Sequence, residues 1–256
     1  MNGTGDSRAE VVAFFDLDGT LVRPPSLELR LFAELRKRRL IPARNYFFWL
    51  AHAARLLPTG IGAIQHANKM YLRGVGADCA DEQIRMAGLY PAGIERLAWH
   101  AERGHAIFLL SGTLAPLAQR AALEIVMRLT ARGITAKIGV CATRLEEHDG
   151  CWTGHIIGEA LYGEVKARAV RQLAQEHGFA LERCYAYGNE ANDRWMLEAV
   201  GRPAAVDPSG DLERIARRNG WPILSWKKEQ ELRQSAQRTE SEQRRAKLLV
   251  RTKDLG

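Results

Sequence analysis

Residues 11–21 read Val11, Val12, Ala13, Phe14, Phe15, Asp16, Leu17, Asp18, Gly19, Thr20 and Leu21, and they set the tightest condition on how this chain folds. Five apolar residues in succession, β-branched and aromatic, make a run too short for a helix of its own. They predict a strand buried on both faces. The run then breaks into two carboxylates spaced i, i+2, followed by Gly-Thr. Side chains two apart on extended backbone point the same way, so Asp16 and Asp18 converge where the strand ends. In open α/β sheets that carboxyl end is where ligands bind. Two like charges in a half-buried site are costly unless a cation or a shared proton relieves them. A plain strand with an Asp-Gly turn accounts for Gly19 but not for a second aspartate on the same side. The functional pair is the stronger reading.

The rest of the chain divides by pattern. Pro24 and Pro25 stop any helix after Val22, and residues 26–88 then read as helical throughout. Ser26 is an N-cap for a helix over residues 27–35. Pro42 opens a second helix that runs to Leu57, and residues 58–60 close it. A third covers residues 61–72 and a fourth residues 81–89. From Pro91 onward strands alternate with helices: strands near residues 105–110, 137–142, 184–187, 203–206 and 222–224, with a hairpin turning at residues 147–150. This pattern predicts an α/β fold, a doubly wound (Rossmann-like) parallel sheet core carrying an inserted all-helical cap. The expected domains are a core of residues 1–22 and 90–225, a cap of residues 23–89, and a basic tail of residues 226–256, disordered or loosely helical.

Three strands end in polar sequence: Asp16, Asp18 and Thr20 after the first, Ser111-Gly112-Thr113 after the second, and Gly188-Asn189 with Asn192-Asp193 after a later one. Lys166 lies near the start of the helix before that third group. Each has a bland reading alone: a turn with an N-cap, a solvated lysine, a turn former. In this order, on successive strands of one sheet, they point to one site.

On these residues the chain resembles the haloacid dehalogenase superfamily of phosphohydrolases, in the branch similar to phosphoserine phosphatase with a helical cap. The likeness covers about residues 11–224. The first motif, Asp16-Leu17-Asp18-Gly19-Thr20-Leu21, is highly specific; Ser111-Gly112-Thr113 and Lys166 stand for the second and third. The fourth, Gly188-Asn189-Glu190-Ala191-Asn192-Asp193, has Asn189 where the family usually has a metal-binding aspartate. The resemblance implies Mg²⁺-dependent hydrolysis of a phosphate monoester through an aspartyl-phosphate. Asp16 would attack phosphorus, and Asp18 would protonate the leaving alcohol and then activate water. Thr20, Ser111, Gly112, Lys166 and Asn192 would bind the phosphate, and Asp16, Asp18 (through its carbonyl), Asn189 and Asp193 the metal. An amide oxygen coordinates without bringing a charge, so Mg²⁺ affinity is expected to be lower, with Asp193 as the remaining carboxylate of that loop. A working enzyme is the stronger reading; the alternative is a metal-poor site that binds a phosphate ligand or an acidic surface without turnover.

Charge and composition narrow the partners. A net charge of +7 and a pI near 9.4 favour anionic ones. Four cysteines without a CxxC pair suit a reduced cytoplasm, and the polar residues 1–10 contain no signal-peptide core. No apolar run reaches the length of a membrane span. The tail mixes Glu229, Glu231, Glu240 and Glu242 with its cations, so nucleic acid is an unlikely partner. Where phosphoserine phosphatases carry an acidic residue for the substrate ammonium, this chain has Arg23-Pro24-Pro25, which argues against phosphoserine. Basic residues 36–39 and Arg44, followed by aromatic residues 46–49, suggest an anionic amphiphile such as a lipid phosphate, or contact with a membrane surface. The blander expectation, and the favoured one, places those aromatics in the cap core and the cations in water. Arg73 is a candidate substrate contact on the third cap helix.

Overall fold

The computed structural model describes residues 11–79, 88–229 and 231. Its centre is a six-stranded sheet in the order β3-β2-β1-β6-β7-β8, with every neighbouring pair parallel. The strands are β1 (Val12–Phe15), β2 (Ala106–Leu114), β3 (Ile138–Thr143), β6 (Tyr185–Gly188), β7 (Arg202–Val206) and β8 (Ile223–Leu224). The chain lays β2 and β3 outward on one side of β1, then returns to pair β6 on the other. The strand order therefore reverses at β1 and β6, and their carboxyl ends open a crevice. β1 is apolar throughout because both of its faces are covered. Ala13 and Phe15 pack with Leu97, Leu117 and Ile125, while Val12 and Phe14 pack with Val170, Met196 and Leu212. These partners come from helices on opposite sides of the sheet: α4 (Pro91–Ala101) and α5 (Ala115–Thr130) on one, α6 (Glu164–His177), α7 (Arg194–Glu198) and α8 (Gly210–Asn219) on the other.

After β1 the chain makes one tight turn, with the Leu21 and Val22 amides donating to the Leu17 carbonyl at 2.9 and 2.8 Å. It leaves the sheet layer there and returns at Tyr90. The two passages lie side by side, as Arg23 N–H donates to the Gly88 carbonyl (2.8 Å) and Tyr90 N–H to the Leu21 carbonyl (2.9 Å). Between them stand α1 (Leu27–Lys37), α2 (Ala43–Leu56) and α3 (Ile61–Ala67). α1 starts at Ser26, whose hydroxyl accepts from Leu29 N–H, and it buries Leu27, Leu31 and Leu35, four residues apart on one face.

The third cap helix ends at Ala67, short of the expected residue 72. Asn68 is extended; its amide donates to the Trp49 carbonyl at 2.8 Å, and its oxygen meets His52 Nδ1 at 3.1 Å. Such side-chain bonds compete with helical ones, and they let Met70, Tyr71 and Leu72 turn into the core as a 3₁₀ turn. The fourth expected cap helix lies almost entirely outside the described residues. The cap-core placement of the aromatics is corrected as well. Within α2 only Asn45 is fully buried, Phe48 and Trp49 are half-buried, and Phe47 is 71% and Leu50 61% exposed. One face of α2 therefore meets solvent.

One further strand departs from its expected bounds. β2 continues through Ser111 to Leu114 rather than stopping at Leu110, with a register shift against β3 between Ser111 and Leu114. An irregularity of that kind re-aims side chains at a strand end. The hairpin of β4 (Leu145–His148) and β5 (Cys151–Ile156) turns on Asp149 and Gly150, both with positive φ, as the Asp-Gly pair predicts. It then reaches the cap: Gly74 N–H donates to the Trp152 carbonyl (2.7 Å) and Trp152 N–H to the Val75 carbonyl (2.9 Å). The insertion is thus attached to the core at a third place besides its two passages.

His100 is wholly buried behind β1, with Nε2 2.9 Å from the Tyr187 hydroxyl and Nδ1 2.9 Å from His105 Nδ1. Its role is packing, and burial, helped by His105 and nearby arginines, pushes its pKa down to about 3. The unfolded chain takes up a proton near pH 6.5 that the fold refuses. Stability should therefore fall as pH drops from about 6.5 toward 3, with a slope of up to about 1.4 kcal/mol per pH unit from this group. Denaturant titrations of the wild type and His100→Gln between pH about 6.5 and about 4.5 check this. The variant should show the shallower slope, and equal slopes would contradict the assignment.

Candidate active site

The carboxyl ends of β1, β2 and β6 bring Asp16, Asp18, Ser111, Asn189 and Asp193 together, and the first turn of α6 adds Lys166. Lys166 is buried between two carboxylates, its Nζ 2.5 Å from Asp16 Oδ1 and 2.7 Å from Asp193 Oδ1. The second oxygen of Asp193 accepts from the Asn189 and Glu190 amides at 2.9 and 3.0 Å. Asp193 is held this close by Gly188, where a Cβ would stand 2.5 Å from the Asp193 Cβ. Burial works against the Lys166 charge, but Asp16 and Asp193 outweigh it and push the pKa of the ammonium up. Burial, with Asp193 beside it, pushes Asp16 up to about 7 against the pull of Lys166.

The other oxygen of Asp16 faces a different set of atoms. The side-chain oxygen of Asn189 lies 3.2 Å from Asp16 Oδ2 and 3.2 Å from the Asp18 carbonyl, and it accepts from the Thr20 hydroxyl at 3.0 Å. Gly19, at φ +89°, makes this approach possible, since a Cβ there would stand 2.3 Å from the Asn189 amide nitrogen. The Asn189 oxygen thus stands from Asp16 Oδ2 and from the Asp18 carbonyl oxygen at the spacing of neighbouring corners around a small hard cation with bonds near 2.1 Å. Turned over, the same amide would place its NH₂ group among the same acceptors and close the gap without an ion. The donor set therefore fits Mg²⁺ while offering an alternative to it. Among the described residues no cluster of three or more His, Cys, Asp or Glu side chains has metal-binding geometry, so carbonyl and amide oxygens are needed to complete the set.

Asp18 is oriented by α1, whose first amide, Leu27 N–H, donates to Asp18 Oδ1 at 2.8 Å. Burial pushes its pKa up to about 6, a rise that this hydrogen bond moderates. Ser111 is buried, and its Oγ accepts from Thr113 N–H at 3.2 Å. The Gly112 carbonyl is fixed by the Thr143 hydroxyl at 2.9 Å. Above Gly112 lies His66 of α3, stacked on Tyr162 with ring centroids 4.6 Å apart; a Cβ at Gly112 would come within 3.1 Å of its Nδ1.

Several expected residues are placed otherwise. Asn192 is exposed and lines a separate groove with Gly163 and Trp195. Thr20 is fully buried, with its hydroxyl on Asn189 instead of facing the crevice. Asp193, expected among the metal ligands, has both oxygens committed to Lys166 and the two amides. Arg73 follows a 3₁₀ turn rather than sitting on a helix, and it is exposed, with its guanidinium 4.8 Å from the Phe48 ring centroid. Sequence reasoning missed Thr113, whose buried hydroxyl has no hydrogen-bond partner, and it missed Glu28, Lys69 and Tyr71, which meet over the site. Thr113 sat within a recognised motif. The other three are brought together only by the folded cap.

Comparison with known proteins gives the same picture. The family of haloacid dehalogenase-like hydrolases matches residues 13–198. Phosphoserine phosphatase SerB1 of Mycobacterium tuberculosis is 31% identical over 84% of this chain and 70% of its own length. A probable phosphatase of the same organism is 30% identical over 88% of this chain and 79% of its own. A solved structure of a protein of unknown function from Bordetella pertussis superposes with a TM-score of 0.61 at 24% identity, over 85% of this chain and 99% of the other. A phosphoserine phosphatase solved as a phospho-aspartyl intermediate analogue gives 0.58 at 18% identity, over 86% and 94%; both structural likenesses speak for the fold. The chain belongs to the haloacid dehalogenase-like hydrolases, among the members that resemble phosphoserine phosphatase.

Proposed function

We propose that this phosphatase hydrolyses a small phosphate monoester in two steps, with Asp16 as the nucleophile. The observation that carries the reading is the Asp16 carboxylate itself. One of its oxygens is fixed by Lys166 at 2.5 Å, and the pair lies beside Asp18 at the strand ends. Asp16 attacks phosphorus, and the ester oxygen leaves with a proton from Asp18. The resulting Asp18 carboxylate takes a proton from water, which attacks the phosphoenzyme and returns phosphate and free Asp16. A group that gives and then takes a proton works best with a pKa near the operating pH, and about 6 suits both halves. The Ser111 hydroxyl and Gly112 amide hold phosphoryl oxygens, and the Lys166 ammonium offsets the charge that develops on them. Asp193 positions Lys166 and the loop at residues 188–190. Asp16, the Asp18 carbonyl and the Asn189 amide oxygen would hold Mg²⁺. When bound, the ion shields the attacking carboxylate from the anionic ester. Residues 23–89 would act as a cap that admits substrate and excludes water.

Phosphate release from an aryl phosphate, with and without Mg²⁺, tests the reading. Asp16→Asn should abolish metal-dependent turnover, and Asn189→Asp should tighten Mg²⁺ binding about tenfold or more by adding a charge to the donor set. A silent wild type that gains turnover in Asn189→Asp would favour the metal-poor binding module instead. Asp193→Ala leaves a buried ammonium with one partner fewer. It should cost about 3–5 kcal/mol of stability and lower kcat more than it weakens Mg²⁺ binding, as read by denaturation and calorimetry. A selective loss of Mg²⁺ affinity would restore Asp193 to the metal ligands.

The outer face of α2 favours one further part of this reading, contact with an anionic membrane surface. On α2, Phe47 and Leu50 are each more than 60% exposed, with exposed Arg44 and Arg55 on the same helix, and exposed Leu57 and Ile61 follow just beyond its end. An apolar stripe edged by arginines is the pattern of a helix that lies in a lipid interface. No described helix is long and apolar enough to cross a membrane. In sedimentation with vesicles, the protein should bind phosphatidylglycerol-containing bilayers in a salt-sensitive way, and Leu50→Glu should release it. Equal behaviour on purely zwitterionic vesicles would contradict this.

A further inference from the structure

A chamber of about 570 Å³ lies between cap and core, within the size range of small-molecule sites. Its floor is Asp18, Ser111, Gly112 and Thr113. Its cap walls are mostly apolar and aromatic, with Leu29, Phe32, Tyr46, Trp49 and Tyr71, and carry Ser26, Glu28, Gln65 and His66 as their polar members. The charge in those walls is already cancelled. The Glu28 carboxylate is gripped by Lys69 Nζ at 2.6 and 2.7 Å, with the Tyr71 hydroxyl at 2.8 Å from the first of these oxygens. Lys69 is itself buried, and no lysine or arginine is among the described residues lining the chamber.

We infer that this chamber takes an uncharged apolar body, so that the enzyme acts on monophosphates of aryl or alkyl alcohols rather than on phosphate esters of amino acids or amino alcohols. The inference rests on the phosphatase reading for the position of the phosphoryl group at Asp18 and Ser111. A substrate ammonium would need a free carboxylate on the cap side, and Glu28 would have to give up Lys69 to supply one. Doing so would strand a buried ammonium, which is strongly unfavourable. A substrate carboxylate would meet aromatic faces and the same neutralised pair. Aryl and alkyl groups bury against these rings without that penalty. Trp49 and Tyr46 bring α2 to the chamber, and Phe47 is exposed on the other side of the same helix.

The test compares kcat/KM for ethyl, butyl and hexyl phosphate and 1-naphthyl phosphate with that for O-phosphoserine and phosphoethanolamine. The value should rise about threefold to fourfold for each added methylene, so that hexyl phosphate exceeds ethyl phosphate by roughly 100-fold. Both ammonium-bearing esters should fall at least about 100-fold below hexyl phosphate. Trp49→Ala and Tyr46→Ala, each at a partly exposed position, should flatten the chain-length dependence. The loss for hexyl phosphate should be about tenfold greater than for ethyl phosphate. Flat dependence in the wild type, or phosphoserine turned over as well as hexyl phosphate, would overturn the inference. If no ester is hydrolysed, calorimetry with hexylphosphonate separates the two claims. Binding that Trp49→Ala weakens would keep the apolar chamber while the phosphatase reading fails. Binding no tighter than that of phosphoserine would overturn the chamber's assignment as well.

Discussion

The buried ammonium of Lys166 is the interaction on which the site depends. Placing it between Asp16 and Asp193 removes three charges from water, a cost recovered only where the geometry and the remaining hydrogen bonds are good. Here they are. Asp193 spends its second oxygen on two backbone amides of the β6 loop, and Asp16 keeps its second oxygen for the crevice. The triad joins β1, α6 and the loop after β6 across long stretches of chain. The strand order that places β6 beside β1 is therefore also what brings Lys166 and Asp193 to Asp16. A different strand neighbour at β1 would separate Asp16 from Lys166.

Asn189 sets the balance of the second half of the site. A carboxylate at this position would repel Asp16 and the Asp18 carbonyl until a cation arrived. An amide has two faces. One completes an oxygen cage, and the other satisfies the same acceptors with hydrogen bonds. On the proposed reading, the amide would lower metal affinity and leave the apo site less frustrated.

Much of this was legible in the sequence because it follows local rules. The apolar run at Val11–Phe15 predicts a doubly covered strand, Asp149-Gly150 predicts the hairpin turn, and the i, i+2 carboxylates predict a site at a strand end. What was not legible depends on contacts between distant residues. Asn68 ends α3 because Trp49 and His52 offer its side chain partners, which helical periodicity does not register. The aromatic run at residues 46–49 reads as a core segment, yet α2 half-buries Phe48 and Trp49 and leaves Phe47 outside. Glu28, Lys69 and Tyr71 are ordinary helix and loop residues until the cap folds them into one network above Asp18. Asp193 carries the right residue type for a metal ligand, and only the approach of Lys166 and two amides shows where its oxygens are committed.

The account centres on Asp16 as the group that receives the phosphoryl group, and a trapping experiment addresses that directly. The enzyme is mixed with a ³²P-labelled ester that it turns over, quenched in acid within the first turnovers, digested, and its peptides are assigned by mass spectrometry. The account predicts a single hydroxylamine-labile phosphoryl group on the peptide that carries Asp16. Label on a serine or histidine peptide, or turnover with no labelled peptide at any quench time, would contradict it.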